Sequence, residues 1–137
     1  MTAVAGALRD AAARLAGVSD TPRLDAELLM AHALGVERGT LLLDLVRFSL
    51  PEGFAALVAR RSAHEPVAYI IGHAEFWSLR LRVGPGVLIP RADSEKLIEA
   101  AIAHFQHVTP PRTILDLGTG PGTLLLAALS VWPDARG

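Results

Sequence analysis

The sequence has no cysteine. Neither a disulfide framework nor a thiolate metal site is open to it, which removes the small secreted scaffolds and the zinc modules together. It also lacks an apolar run long enough to span a bilayer, since the longest, Leu124 to Trp132, is interrupted by Ser130. A dominant charge is missing too: 13 Lys+Arg stand against 14 Asp+Glu, for a formal charge of -1. Residues 1–65 hold seven Arg and eight acids, and residues 66–137 hold six bases and six acids. Neither half is a basic nucleic-acid-binding surface, so no direct nucleic-acid partner and no membrane partner are expected. Met1 to Leu8 is followed at once by Arg9 and Asp10, without the basic start and unbroken apolar core of a secretory signal. A cytoplasmic location is the expectation. What is present is a 137-residue chain that is 51% hydrophobic, too apolar for disorder at so small a net charge. Its length suits one domain, or a small domain and a piece of another.

The N-terminal part reads as short helices. Val4, Leu8, Ala11, Ala12 and Leu15 recur at helical spacing, and Gly17 is placed to end the run in a left-handed conformation. Thr21 and Pro22 open a second helix, with Leu24, Leu28, Ala31 and Leu34 on its buried face and Gly35 after it. Glu37 to Leu45 is a third. Ser49-Leu50-Pro51-Glu52 has capping-box spacing for a fourth, which carries Phe54, Leu57 and Val58 to about His64, where Pro66 stops it. Four helices this short are stable only as a bundle.

Past Pro66 the period becomes alternating. Leu79, Leu81 and Val83 alternate with Arg80 and Arg82, and Ala74 to Trp77 is the partner strand of a β-hairpin. Phe76 and Trp77 are read as hairpin anchors or as a binding platform, and Arg80 and Arg82 as a solvated face or a docking patch. Asp93 is placed to cap a helix whose shared face is Leu97, Ile98, Ala101, Ile102 and Phe105. His104 and His107 stand at i, i+3 with no third ligand, which reads as a solvated helix face rather than a metal site. After Pro110-Pro111, a short buried strand over 113–117, a glycine loop over 118–122 and a helix over 123–131 spell the opening unit of an open α/β sheet.

Gly118-Thr119-Gly120-Pro121-Gly122 follows the strand and opens the helix, so backbone can approach a ligand closely and free N–H groups face it. Thr123 stands where a dinucleotide fingerprint has its third glycine, and no Lys follows the loop, which excludes a P-loop. Asp116 puts a carboxylate at the strand's end, suited to a cationic ligand such as S-adenosylmethionine. A tight turn that packs helix on strand remains the plainer alternative.

Five segments in order resemble the HemK/PrmC protein-glutamine N5-methyltransferases: Leu24-Asp25-Ala26-Glu27-Leu28-Leu29, Glu65-Pro66-Val67-Ala68-Tyr69-Ile70-Ile71-Gly72, Glu75-Phe76-Trp77, Val87-Leu88-Ile89-Pro90-Arg91 and Ile114-Leu115-Asp116-Leu117-Gly118-Thr119-Gly120. The resemblance implies an α+β chain in three parts. Residues 1–65 would be a helical domain that recognises peptide chain release factors, 66–86 a β-hairpin linker, and 87–137 the start of a Rossmann-like methyltransferase domain. The reaction it implies is S-adenosylmethionine-dependent methylation of the side-chain amide nitrogen of Gln in the release factor's Gly-Gly-Gln motif. Asp116, Gly118, Thr119, Gly120, Pro121 and Gly122 would bind the cofactor.

The chain departs from the family at two places. In Pro90-Arg91-Ala92-Asp93-Ser94-Glu95 the family has Pro at the place of Ala92 and Thr at the place of Ser94, though Ser94 keeps a hydroxyl. More tellingly, the family's substrate-binding Asn-Pro-Pro-Tyr motif is absent, because the sequence contains no Asn. The chain therefore reads as the N-terminal half of a methyltransferase, with no catalytic or metal-binding residue assigned and no turnover expected from these residues alone. Its incomplete sheet is expected to self-associate. A non-catalytic module that docks a translation factor is the alternative.

Overall fold

A computed structural model describes residues 2–137, which fall into two compact units, 2–71 and 72–137. The chain combines helices with a two-stranded antiparallel sheet.

The first unit is helical. In α1 (Ala3–Leu15) the buried positions Val4, Leu8, Ala11 and Leu15 form the expected stripe, and the Thr2 hydroxyl caps its start by accepting from the Ala5 N–H at 3.2 Å. Gly17 is not left-handed. The helix ends instead because the N–H groups of Val18 and Ser19 both turn back to the Leu15 carbonyl, at 2.9 and 3.0 Å. In α2 (Pro22–Leu34) it is Gly35 that takes the left-handed conformation, φ 66°, and closes the helix.

The buried face of α2 differs from the expected one. Leu24 is exposed, while Asp25, Ala26, Glu27, Leu29, Met30 and Ala31 are buried. The cause is position: α2 packs against α1, α3 (Arg38–Leu43), α4 (Phe54–Ser62) and α5 (Val67–Ile71), so more than one stripe is covered. The most enclosed side chains include Leu8, Leu15, Leu29, Met30 and Leu41. Removing one such Leu side chain beyond Cβ costs about 2–5 kcal/mol.

Two further expectations are corrected in this unit. The Ser49/Glu52 capping box does not form, because α4 begins at Phe54 with Gly53 as its cap and no side-chain cap bond. Pro66 opens a helix rather than an alternating segment: the N–H groups of Tyr69 and Ile70 bond to its carbonyl at 3.0 and 3.1 Å and start α5. Proline at a helix start loses nothing, since its N–H would be unsatisfied there anyway.

The second unit opens with strands β1 (His73–Phe76) and β2 (Leu79–Arg82), paired antiparallel from His73 with Arg82 to Phe76 with Leu79. Its two-residue turn places Trp77 and Ser78 at φ 51° and 59°, the left-handed geometry that matches the twist of the strands. Phe76 and Leu81 meet Ile98, Ala127 and Ala128 in one core, to which α6 (Glu95–Phe105) and α7 (Thr123–Val131) contribute. Asp93 does not cap α6; it lies in a 3-10 turn, Ala92–Ser94, and the cap position falls to Ser94, which makes no capping bond. Leu97 faces solvent and Ile98 carries the burial, while Phe105 meets Trp132 edge-on at 5.3 Å.

Residues 113–117 are not a buried strand. A strand needs a ladder, and the bridge found here joins Thr113 to Arg136 alone, with the Ile114 N–H donating to the Arg136 carbonyl at 2.8 Å. Leu115 and Leu117 are 81% and 84% exposed as a result.

Candidate functional site

The glycine loop joins that extended segment to α7. Gly118, Gly120 and Gly122 have φ of 69°, 55° and 83°, a region L side chains rarely adopt, so glycine is required at each. The loop closes through the Gly122 N–H, which donates to the Thr119 carbonyl at 2.9 Å, and α7 starts with the Leu126 N–H on the Gly122 carbonyl at 2.8 Å. Open space lies where a Cβ would stand on Gly118 and Gly120, so the backbone is bare to an incoming ligand. Gly118, Thr119, Gly120 and Pro121 are exposed and Gly122 is half-buried.

Asp116 is half-buried beside the loop and engages no described residue. An unpaired carboxylate next to bare N–H groups at a helix start offers both signs of charge within one short stretch. That donor set fits a ligand with an ammonium or sulfonium at one end and polar acceptors at the other. The six residues singled out from sequence thus lie in one continuous stretch from strand-like segment to helix. Ser94, in the family-like run, is half-buried at the start of α6.

Other candidates fall elsewhere. Phe76 is core, 1% exposed, and Trp77 is partly buried against that core. Arg80 and Arg82 are exposed, with Arg80 4.0 Å from Glu75 across the hairpin. His104 and His107 are exposed, and among the described residues no group of three or more His, Asp or Glu is arranged to hold a metal.

The sequence reading missed the ionic locks of the helical unit. Arg61 of α4 reaches Asp25 of α2 at 2.8 Å, and its Nη2–H donates to the Val18 carbonyl at 3.3 Å. Glu27 accepts from Arg23 at 2.6 Å and from Arg38 at 2.8 Å. Burial pushes the Glu27 carboxyl up, but the hydrogen bonds and positive charges of Arg23 and Arg38 outweigh it and hold the group below the ordinary carboxylate range. At the corner between α4 and α5, Arg60 clamps Glu65 with two bonds of 2.8 and 2.6 Å, which holds the Glu65 carboxyl low and the Arg60 guanidinium high. The i, i+4 spacing of Arg23 and Glu27 was a visible signal. Asp25 and Arg61, 36 residues apart, gave none.

Comparison with known proteins matches residues 6–72 to the family model of the PrmC N-terminal domain. Among similar proteins named release factor glutamine methyltransferase, that of Aliivibrio fischeri is 47% identical over 119 residues, 84% of this chain and 41% of the relative. That of Mycolicibacterium smegmatis is 47% identical over 141 aligned positions, 99% of this chain and 48% of the relative. That of Escherichia coli is 44% identical over 133, 94% of this chain and 47% of the relative. The chain spans about half the length of the relatives it matches. The chain is thus similar to the HemK/PrmC family, and residues 6–72 match its PrmC N-terminal domain.

Proposed function

We propose that this chain is the part of a release factor methyltransferase that recognises the protein substrate and begins the cofactor site. The observation that carries the reading is the likeness over nearly the whole chain to proteins named release factor glutamine methyltransferase. The bare glycine loop with its unpaired Asp116 lies within the aligned region. In this reading residues 1–65 recognise the release factor, 66–86 link, and 87–137 open a Rossmann-like domain.

S-adenosylmethionine, when bound, supplies the electrophilic methyl group. Gly118, Thr119, Gly120, Pro121 and Gly122 would present backbone to it, and Asp116 would hold its cationic end. The acceptor is the side-chain amide nitrogen of the Gln in a Gly-Gly-Gln motif, a poor nucleophile because its lone pair is delocalised into the carbonyl. Methylation of such a group depends on orientation and fixed dipoles rather than on a strong base. These 137 residues contain no Asn to hold that amide, so we assign no catalytic residue and expect no turnover from them alone. Each of Leu115 and Leu117 forfeits roughly 1.5–3 kcal/mol by staying in water, which favours pairing of the 113–117 edge with a second copy. Among the described residues no helix is long and apolar enough to cross a membrane; action in the cytoplasm is part of this proposal.

Calorimetric titration of the chain with S-adenosylmethionine and S-adenosylhomocysteine tests the cofactor half of this proposal. Saturable heat that Gly120→Val abolishes supports it. Absence of heat with both ligands would leave the second reading, a recognition module without chemistry.

A further inference from the structure

The turn between β1 and β2 is built from residues that do not favour it. Tight two-residue turns of this left-handed kind prefer Asn-Gly or Gly-Gly, and here the places are taken by Trp77 at φ 51° and Ser78 at φ 59°. A bulky residue persists in such a backbone only where the surroundings over-determine it. Two contacts do so. The Trp77 side chain packs in part against the core of the second unit, and its N–H donates to Glu95 Oε1 at 2.8 Å, across 18 residues of sequence. Glu95 is the first residue of α6, where the helix dipole favours a carboxylate, and hydrogen bonds from an N–H to a carboxylate are among the stronger kinds. What rests on the hairpin is α7. The buried residues of that helix are Ala127 and Ala128, and the core that receives them is made by Phe76 and Leu81 of the hairpin and Ile98 of α6. Ala127 stands one turn beyond Thr123, where the glycine loop becomes α7. The loop therefore takes its place from a helix whose seat is the hairpin that Glu95 ties to α6.

We propose that Glu95 is a positioning residue for the cofactor. By fixing the Trp77–Ser78 turn on the start of α6, it fixes the hairpin face on which α7 sits, and so the set of the backbone from Gly118 to Gly122. It acts through the hairpin and not by contact with the ligand. The inference rests on the cofactor reading proposed above, and adds to it a residue outside the stretch from Asp116 to Gly122.

Variants of the full chain test it by calorimetric titration with S-adenosylmethionine, at a temperature where each remains folded. Glu95→Ala is expected to weaken binding roughly tenfold. Glu95→Gln keeps an acceptor oxygen and should bind nearly as the parent does. Ser78→Gly added to Glu95→Ala relaxes the turn without touching α6, and should recover part of the loss. Hydrogen exchange without ligand gives a second readout. Glu95→Ala should speed the Gly122 and Leu126 amides, which bond to the Thr119 and Gly122 carbonyls, as well as the Trp77 amide. If Glu95→Ala does not fold, Glu95→Asp takes its place with the same expectations, since it keeps the charge and shortens the reach by one methylene. Faster exchange at Trp77 alone, with unchanged affinity, makes the bond a local brace; it overturns the proposal and leaves the cofactor reading intact. Glu95→Gln as weak as Glu95→Ala, with no recovery from Ser78→Gly, means that the carboxylate's charge meets the ligand directly, and also overturns it. Absence of heat with the parent chain overturns both this proposal and the cofactor reading.

Discussion

Arg61 and Asp25 hold α4 to α2 through a 2.8 Å bond between side chains that are only 15% and 9% exposed. Removing one partner strands the other charge in a poorly hydrated place, and that loss exceeds the net worth of the pair. Asp25→Ala is expected to destabilise the helical unit by about 3 kcal/mol, and the double variant Asp25→Ala/Arg61→Met by clearly less. Urea unfolding of the three proteins measures this, and equal losses in single and double variants would argue against a coupled pair.

Glu27 gives the helical unit a pH dependence of known sign. Its carboxyl is held low in the fold by Arg23 and Arg38, so the unfolded chain binds a proton before the folded one does. The stabilisation is complete above the unfolded value, about 4.3, and is lost as pH falls from there through the folded value. Denaturation midpoints between pH 3 and 7 should drop on the acid side, and Glu27→Gln should flatten that part of the profile while lowering stability at pH 7.

The turn between β1 and β2 stores strain that can be relieved. Ser78 sits at φ 59° without needing its side chain in the core, so Ser78→Gly should stabilise the second unit by roughly 0.5–1 kcal/mol. Trp77 at φ 51° is held in part by its N–H, which donates to Glu95 Oε1 at 2.8 Å. Glu95→Ala should therefore speed hydrogen exchange of the Trp77 amide, and Glu95→Gln should restore most of the protection. Equal exchange in all three proteins would show that the turn does not depend on α6.

Gly118 has open space around its missing Cβ but a left-handed backbone. Gly118→Ala should cost about 1–2 kcal/mol through conformation alone, without steric clash. The proposed cofactor role adds a second readout: Asp116→Asn should weaken S-adenosylmethionine binding and leave the thermal midpoint nearly unchanged.

Leu115 and Leu117 offer a direct test of edge pairing. Replacing both with Lys should leave the two cores intact, because neither side chain belongs to them, and should shift the chain toward monomer in sedimentation experiments. A parent chain that is monomeric at high concentration would remove the basis for self-association.

Local patterns were readable where one residue type does one job. The period of Val4, Leu8, Ala11 and Leu15, the Leu79-Arg80-Leu81-Arg82 alternation and the glycine loop all follow from backbone geometry or from one buried face. The reading failed where neighbours decide. Leu24 and Leu28 have the spacing of a buried stripe, yet α2 turns Asp25 and Glu27 inward because Arg61 and Arg38 arrive from elsewhere in the chain to neutralise them. Ile114 to Leu117 has the composition of a buried strand and lacks the ladder that would bury it.

The sequence by itself determined the helical character of the first part, the hairpin that follows, the glycine loop at 118–122, and a family likeness carried by segments from Leu24 to Gly120. Those are consequences of covalent geometry and short-range periodicity, which act within a few residues. Tertiary structure alone decided which carboxylates are buried and paired, and that Leu115 and Leu117 stay in water. Each of these depends on what a distant segment brings alongside, and neither desolvation nor charge pairing has a sequence period from which to read it.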